Sequence, residues 1–132
     1  MGITDESRRA AVSVLVVDDD PTSVRLILRI LDSGGFKKVI STSSSAEAIE
    51  ISDREKPDVV LLDLTMPEPD GFTILEAFAS RAGDPRPRIL VLSGHEHPAI
   101  ERRAVDLGAI GAIPKTAGRD EILERLDATL FD

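Results

Sequence analysis

Four apolar runs in this sequence each end at a side chain that suits metal or phosphate chemistry. The runs and the residues that follow them are 14–17 with Asp18-Asp19-Asp20, 59–62 with Asp63, 89–92 with Ser93, and 109–114 with Lys115. If the runs are parallel strands, the four polar ends lie at one edge of one sheet, where open α/β folds bind their ligands. The sequence therefore predicts a site made of carboxylates, a hydroxyl and an ammonium group.

The acidic triplet predicts a cation site when it is considered together with Asp63. One aspartate is enough to cap the helix that follows, and Asp20 fits that role. Keeping Asp18 and Asp19 beside it costs electrostatic energy unless a cation lies between them. Because the neighbouring sequence offers no histidine or cysteine, the ligand set is all oxygen. Such a set favours Mg²⁺, or the similar Mn²⁺, over zinc.

Asp63, Ser93 and Lys115 each have an ordinary structural interpretation beside the chemical one. Asp63 can cap a turn, Ser93 can end a strand, and Lys115 can be a solvated surface lysine. Together, however, they supply a carboxylate able to form an acyl phosphate, a hydrogen-bond donor and a mobile positive charge for phosphoryl oxygens. The combination favours phosphoryl transfer to Asp63 over three unrelated structural roles.

The elements that must position these residues alternate between strand and helix along the chain. Strands are predicted at 13–17, 38–42, 58–62, 89–92 and 109–114. Helices follow at Pro21, at the capping box Ser44 to Glu47, and at apolar stripes near Phe72, Pro98 and Ile122. This is a doubly wound (βα)5 arrangement with right-handed crossovers, a three-layer α/β fold with a parallel five-stranded sheet. Pro114 lacks a ladder donor, which predicts an edge position for the fifth strand.

Length and composition narrow the class of protein. The 132 residues fit one domain, which we predict at 13–132 after a polar N-terminal extension at 1–12. The net charge of −8 argues against direct nucleic-acid binding, which needs a basic surface. The sequence has no cysteine, no apolar signal-peptide core and no stretch near the roughly 20 apolar residues of a membrane span. We therefore expect a cytoplasmic protein with no membrane contact.

The spacing of these residues resembles that of the receiver domain of two-component response regulators, including chemotaxis regulators, over residues 13–130. The resemblance rests on Val-Val-Asp18-Asp19-Asp20-Pro21, Leu-Leu-Asp63-Leu-Thr-Met66-Pro67-Glu-Pro-Asp70-Gly71, Leu-Ser93-Gly94 and Ile-Pro-Lys115. It implies a flavodoxin-like sheet with strand order 2-1-3-4-5. It also implies that Asp63 accepts a phosphoryl group from a phosphohistidine of a sensor histidine kinase or a histidine phosphotransfer protein.

The resemblance further implies a role for each residue of the site. Asp19 and Asp63 would ligate Mg²⁺ directly, Thr65 through its backbone carbonyl, and Asp18 largely through a bound water. Lys115 and Ser93 would hold the phosphoryl oxygens, helped by the backbone N–H groups of Thr65 and Gly94. The acyl phosphate would then switch a partner-binding surface made of the fourth predicted helix, the fifth strand and the fifth helix. The output partner, or an output domain elsewhere in a longer regulator, is not identified by the sequence.

Four positions depart from the family pattern or add to it. Many receivers carry an aromatic residue next to the glycine of the last strand, where this chain has Ala112 after Gly111. Many also follow the lysine with proline, where this chain has Thr116. His95 lies two residues beyond Ser93 and is a candidate modulator of water access, although an exposed loop histidine is the plainer interpretation. Thr65 is a further candidate modulator.

Two other functions fit part of the sequence. Asp18-Asp19-Asp20-Pro21-Thr22 also matches the Asp-x-Asp-x-Thr pattern of haloacid dehalogenase-type phosphatases, with Asp18 as nucleophile and Asp20 as acid. That interpretation finds no acidic pair at a further strand end after Lys115, because Asp120-Glu121 begins a helix, and it gives Asp63 no role. The second alternative is a degenerate receiver that serves as a constitutive binding module, which the alanine at 112 keeps open.

Overall fold

Five parallel strands form one sheet in the order β2-β1-β3-β4-β5, as the family resemblance implied. The structure is a computed structural model, and it describes residues 5–64, 71–80, 87–94 and 98–131. The strands are β1 (Ser13–Val17), β2 (Lys38–Thr42), β3 (Val59–Asp63), β4 (Arg88–Ser93) and β5 (Gly111–Pro114). In the described ranges the helices are α1 (Asp5–Ala10), α2 (Pro21–Ser33), α3 (Ser45–Glu55), α4 (Gly71–Ser80), α5 (Pro98–Asp106) and α6 (Arg119–Phe131).

The helices cover both faces of the sheet and make the three layers that the sequence predicted. On one face α3, α4 and α5 pack through an aliphatic core that includes Ile51, Leu75 and Ala104. On the other face α2 and α6 pack through residues such as Leu31 and Leu126. Every residue of β3 is buried, as expected for a central strand with helices on both sides.

Local sequence signals fix where two of these helices begin. The Asp20 carboxylate accepts the N–H of Thr22, and Pro21 occupies the first helical position of α2. At α3 the Ser44 hydroxyl accepts the N–H of Glu47, which confirms Ser44 as the N-cap. The reciprocal half of the predicted capping box is wrong, because the Ser44 N–H donates to the Thr42 hydroxyl and not to the Glu47 side chain. Both helices therefore start directly beside the carboxyl ends of β1 and β2.

The boundaries of three strands that reach the site differ from prediction. β4 extends beyond the predicted 89–92 and includes Ser93, and β5 begins two residues after the predicted 109. The third strand was expected at 58–62, but β3 runs one residue further and ends with Asp63 itself. Asp58 lies before the strand, where its N–H bonds the carbonyl of Ser13 and its carboxylate accepts the Ser13 N–H. Asp63 is therefore held by the ladder and is not a loop residue. Pro114 lies in the edge strand β5, as predicted.

The predicted N-terminal extension at 1–12 contains a helix that the sequence did not indicate. Arg9 of α1 bonds both carboxylate oxygens of Asp127 on α6, at 2.9 and 2.6 Å, and the carbonyl of Gly34 at 3.1 Å. Its guanidinium also lies 6.0 Å from the ring centroid of Phe36. These tertiary contacts, more than helix propensity, hold so short a helix in place. None of the helices in the described ranges is long and apolar enough to cross a membrane.

Candidate functional site

The four polar residues predicted from the strand endings meet at the carboxyl edge of the sheet. Hydrogen bonds between neighbouring strand ends fix this edge. The N–H of Asp18 donates to the carbonyl of Thr42 at 3.1 Å, and the N–H of Lys115 donates to the carbonyl of Ser93 at 2.8 Å. A third bond, from Leu64 to Leu92, joins β3 to β4 just beyond Asp63. The backbone therefore positions the side chains before any ligand is present.

Three carboxylates converge at this edge, as the acidic triplet and Asp63 predicted. One carboxylate oxygen from each of Asp18, Asp19 and Asp63 lies within 4.8 Å of the others. Asp18 and Asp63 are buried, with exposures of 0% and 1%, while Asp19 is exposed. Two buried like charges at this separation are costly without a compensating cation.

Lys115 supplies part of that compensation. Its Nζ donates to Asp63 Oδ2 at 3.0 Å and lies 3.4 Å from Asp18 Oδ2. Burial works against its ammonium, but the contacts with Asp63 and Asp18 outweigh that effect and raise the pKa of Lys115 above its ordinary value. The lysine is therefore charged and faces both buried carboxylates.

One carboxylate oxygen of Asp18 accepts no hydrogen bond from the described residues. Its Oδ1 accepts the N–H of Asp20 at 2.9 Å, whereas Oδ2 is buried and has no hydrogen-bond partner. Burial raises the pKa of Asp18 to about 6; the bond from Asp20 and the charge of Lys115 oppose this effect, and Asp63 adds to it. A buried carboxylate oxygen that has only a 3.4 Å ion pair with Lys115 and no hydrogen bond from the described residues, in an all-oxygen cluster, fits a divalent cation such as Mg²⁺.

Asp20 does not join the cluster that its two neighbours form. Its carboxylate accepts the hydroxyl of Ser23 at 3.0 Å and the N–H of Thr22 at 3.1 Å. Those two bonds, that of Ser23 first, lower the pKa of Asp20 below its ordinary value. A capping carboxylate held in its ionised form is poorly suited to act as a general acid.

The remaining predicted residues lie around this cluster or outside the described ranges. Ser93 is buried at the end of β4, and Gly94 is exposed with nothing within 4 Å of the position a Cβ would take. Ala112 is partly buried and packs against the core on the α3–α4–α5 side. Thr65 and His95, with the loop 65–70, lie outside the residues that the structure describes.

Sequence reasoning missed one side chain that contacts β5 near the site. Arg125 of α6 donates through Nη2 to the carbonyl of Ala112 at 2.8 Å. The same nitrogen lies 3.0 Å from where a Cβ on Gly111 would stand. Gly111, next to the position where the aromatic residue is absent, was the available hint that something packs across this strand.

Comparison with known proteins agrees with the fold described above. The family model described as the response regulator receiver domain matches residues 14–127. Chemotaxis protein CheY of Bacillus subtilis is 33% identical over 117 residues, which cover 89% of this chain and 96% of that protein. A solved CheX–CheY–BeF3–Mg complex from Borrelia burgdorferi superposes with a TM-score of 0.81 at 28% identity, covering 92% of this chain and 90% of that one.

Other relatives are longer proteins. A protein-glutamate methylesterase/protein-glutamine glutaminase of Anaeromyxobacter dehalogenans is 37% identical over 127 residues, which cover 91% of this chain but 35% of that protein. The similarity therefore concerns the receiver portion and carries no esterase activity to this chain. Family match, relatives and fold agree: the chain belongs to the response regulator receiver domain family, whose members are signalling switches.

Proposed function

We propose that this chain is a phosphorylation switch in which Asp63 accepts a phosphoryl group from a phosphohistidine of a sensor histidine kinase or histidine phosphotransfer protein. The observation that carries the proposal is the cluster at the carboxyl edge, where Asp63 lies between two further carboxylates and the Lys115 ammonium. Family membership supports a phosphohistidine as the donor, because receiver domains act with histidine kinases or phosphotransfer partners. The geometry supports the roles that we propose for Asp63 and Lys115.

The transfer needs little covalent chemistry from the protein. A carboxylate oxygen of Asp63 attacks the phosphorus, the phosphorus–nitrogen bond to the donor imidazole breaks, and its electron pair stays on the imidazole nitrogen. The product is an acyl phosphate on Asp63, which water later hydrolyses to inorganic phosphate. Positioning and charge neutralisation supply most of the catalysis in such reactions.

Asp18, Asp19 and Asp63 would hold Mg²⁺, or Mn²⁺, with the backbone carbonyl of Thr65 as a further ligand. Asp18 Oδ2, which is buried and pairs with the Lys115 ammonium at 3.4 Å without a hydrogen bond, supports this assignment from the chain's own atoms. When bound, the cation supplies positive charge beside the phosphoryl oxygens and relieves the repulsion among the carboxylates. Asp18 would act largely through a bound water.

Lys115, Ser93 and the N–H of Gly94 would hold the phosphoryl oxygens. Lys115 Nζ is bonded to Asp63, the proposed acceptor, so phosphorylation would change the partner that the ammonium contacts. Ser93 ends the neighbouring strand, and its carbonyl is tied to the N–H of Lys115. We therefore expect Ser93 and Lys115 to respond together to phosphorylation of Asp63. The proposed output surface consists of α5, β5 and α6.

Labelling with acetyl phosphate and Mg²⁺ tests this proposal. We expect a single acyl phosphate that Asp63→Asn abolishes and that Asp32→Asn, which changes one exposed carboxyl on α2, leaves unchanged. The phosphatase alternative, with Asp18 as nucleophile and Asp20 as acid, requires instead that only Asp18→Asn abolishes labelling. The capping bonds of Asp20 argue against that alternative.

Partner affinity distinguishes the binding-module alternative from the proposed switch. A switch predicts different partner affinity before and after phosphorylation, whereas a constitutive module predicts the same affinity in both states. We propose a protein as the partner, with no direct nucleic-acid binding, no membrane contact and a cytoplasmic location.

A further inference from the structure

Arg125 bonds the outward edge of β5 through the backbone carbonyl of Ala112, the residue at which the receiver pattern has an aromatic side chain. β5 is the last strand of the sheet, so it is paired only with β4. The Ala112 carbonyl accepts a hydrogen bond from Arg125 Nη2 at 2.8 Å, which occupies a backbone acceptor of this edge strand. The side chain thus connects α6 to β5 across 13 residues of sequence.

Gly111 makes this approach feasible. A Cβ at position 111 would lie 3.0 Å from Arg125 Nη2, closer than nearly all side-chain contacts, and 3.8 Å from Leu90 Cδ2. The guanidinium therefore lies where any larger residue at 111 would displace it. Gly111 and Arg125 are in contact, whereas the Ala112 side chain packs against the core on the α3–α4–α5 side.

β5 also carries Lys115 at its carboxyl end, three residues beyond Ala112. Lys115 is bonded at both ends, through its N–H to the Ser93 carbonyl and through Nζ to Asp63. A change in the partner of Lys115 Nζ would therefore move a short strand whose free edge is hydrogen-bonded to Arg125. The strand has four residues, Gly111–Pro114, so little backbone separates the two contacts.

We infer that Arg125 is a positioning residue that couples β5 to α6, in place of the aromatic residue, when the phosphoryl group binds at Asp63. This inference rests on the proposed function. In the phosphorylated state Lys115 contacts the phosphoryl oxygens, the Ala112 carbonyl shifts with β5, and the bond from Arg125 carries the shift to α6. Without that bond the site still binds its ligands, but α6 no longer senses them.

Chemical shifts of backbone amides during titration of the full chain with beryllofluoride and Mg²⁺ provide the test. In the natural sequence we expect responses both near the site, at Leu92 and Leu64, and on α6, at Leu123 and Leu126. In Arg125→Met the site responses persist, while the α6 responses fall at least about twofold, since a ligand shifts an element only through contacts that differ between states. A purely structural role for Arg125 would change the melting temperature but not this ratio.

Two further variants keep the test decisive if Arg125→Met folds poorly. Gly111→Ala displaces the guanidinium without altering Arg125 and should reduce the α6 response. Arg125→Lys keeps a cationic donor and should restore part of it, while Glu124→Gln, an exposed neighbour on α6, should behave like the natural sequence.

Each contrary outcome has a separate meaning. Unchanged α6 responses in both Arg125→Met and Gly111→Ala overturn the coupling role. Site responses without any α6 response in the natural sequence overturn it as well. Absence of all responses, including those at Leu92 and Leu64, overturns the proposed phosphoryl-binding function on which the inference rests.

Discussion

Asp18→Asn isolates the electrostatic cost of the carboxylate cluster, because asparagine keeps the oxygen that accepts the Asp20 N–H and removes only the charge. Burial raises the pKa of Asp18 from 3.8 to about 6. The folded state therefore holds a proton on Asp18 at pH values where the unfolded chain has released it. The contribution of Asp18 to stability without metal therefore falls as the pH rises from about 4 to about 6.

The size of that fall follows from the pKa difference. One pKa unit corresponds to about 1.4 kcal/mol, so the ionised Asp18 side chain destabilises the metal-free fold by about 2–3 kcal/mol above pH 6. Asp18→Asn should lack this component and should be more stable than the natural sequence by about that amount at neutral pH. Adding Mg²⁺ should reverse the order, since the cation stabilises the natural sequence by binding only its folded state.

Urea denaturation at about pH 4 and about pH 8, with EDTA or with Mg²⁺, measures these free energies directly. Asp32→Asn is the matched control, because it removes one exposed carboxyl from α2 and should show the pH dependence of the natural sequence. If Asp18→Asn loses as much stability between the two pH values as the natural sequence does, burial of Asp18 is not the source of the pH dependence. The reasoning would also be refuted if Mg²⁺ stabilised both proteins equally.

Three further outcomes are expected. Lys115→Ala should still take up phosphate from acetyl phosphate, while its partner affinity in a binding titration stays at the unphosphorylated level; a normal increase in affinity would remove Lys115 from the readout. A double-mutant cycle of Arg9→Ala and Asp127→Ala should give a coupling free energy of about 1–2 kcal/mol in denaturant melts, because the pair is bidentate and largely buried; additive effects would contradict this. Ser44→Ala should cost about 1 kcal/mol of unfolding free energy through loss of the α3 cap, and Ser43→Ala, its exposed neighbour, should cost much less.

The strand endings made most of the site predictable from sequence. A buried apolar run that stops at Asp18, Asp63, Ser93 or Lys115 specifies both the strand and the edge at which its polar residue emerges, because parallel strands share one direction. Caps at Asp20 and Ser44 were readable for the same local reason. The strand order itself came from the family resemblance, since alternation of strand and helix fits several orders.

Contacts between distant residues were not predictable in this way. The helix α1 carries no apolar periodicity, and its stability depends on Asp127, Gly34 and Phe36, which lie far along the chain. Arg125 reads as an ordinary surface cation on an amphipathic helix, and only the fold brings it to the Ala112 carbonyl. Pairings of this kind leave no local pattern.

The contact between α1 and α6 also determines where the chain could be cut and rejoined. Arg8 lies over the ring of Phe131 at 4.6 Å from its centroid, so residues near the two ends of the described chain are neighbours in space. A short polar linker between the ends would therefore close the backbone into a ring without disturbing the sheet. New ends opened at Lys56, an exposed residue that caps the end of α3 before β3 and lies at the edge opposite Asp63, would leave the carboxylate cluster in place.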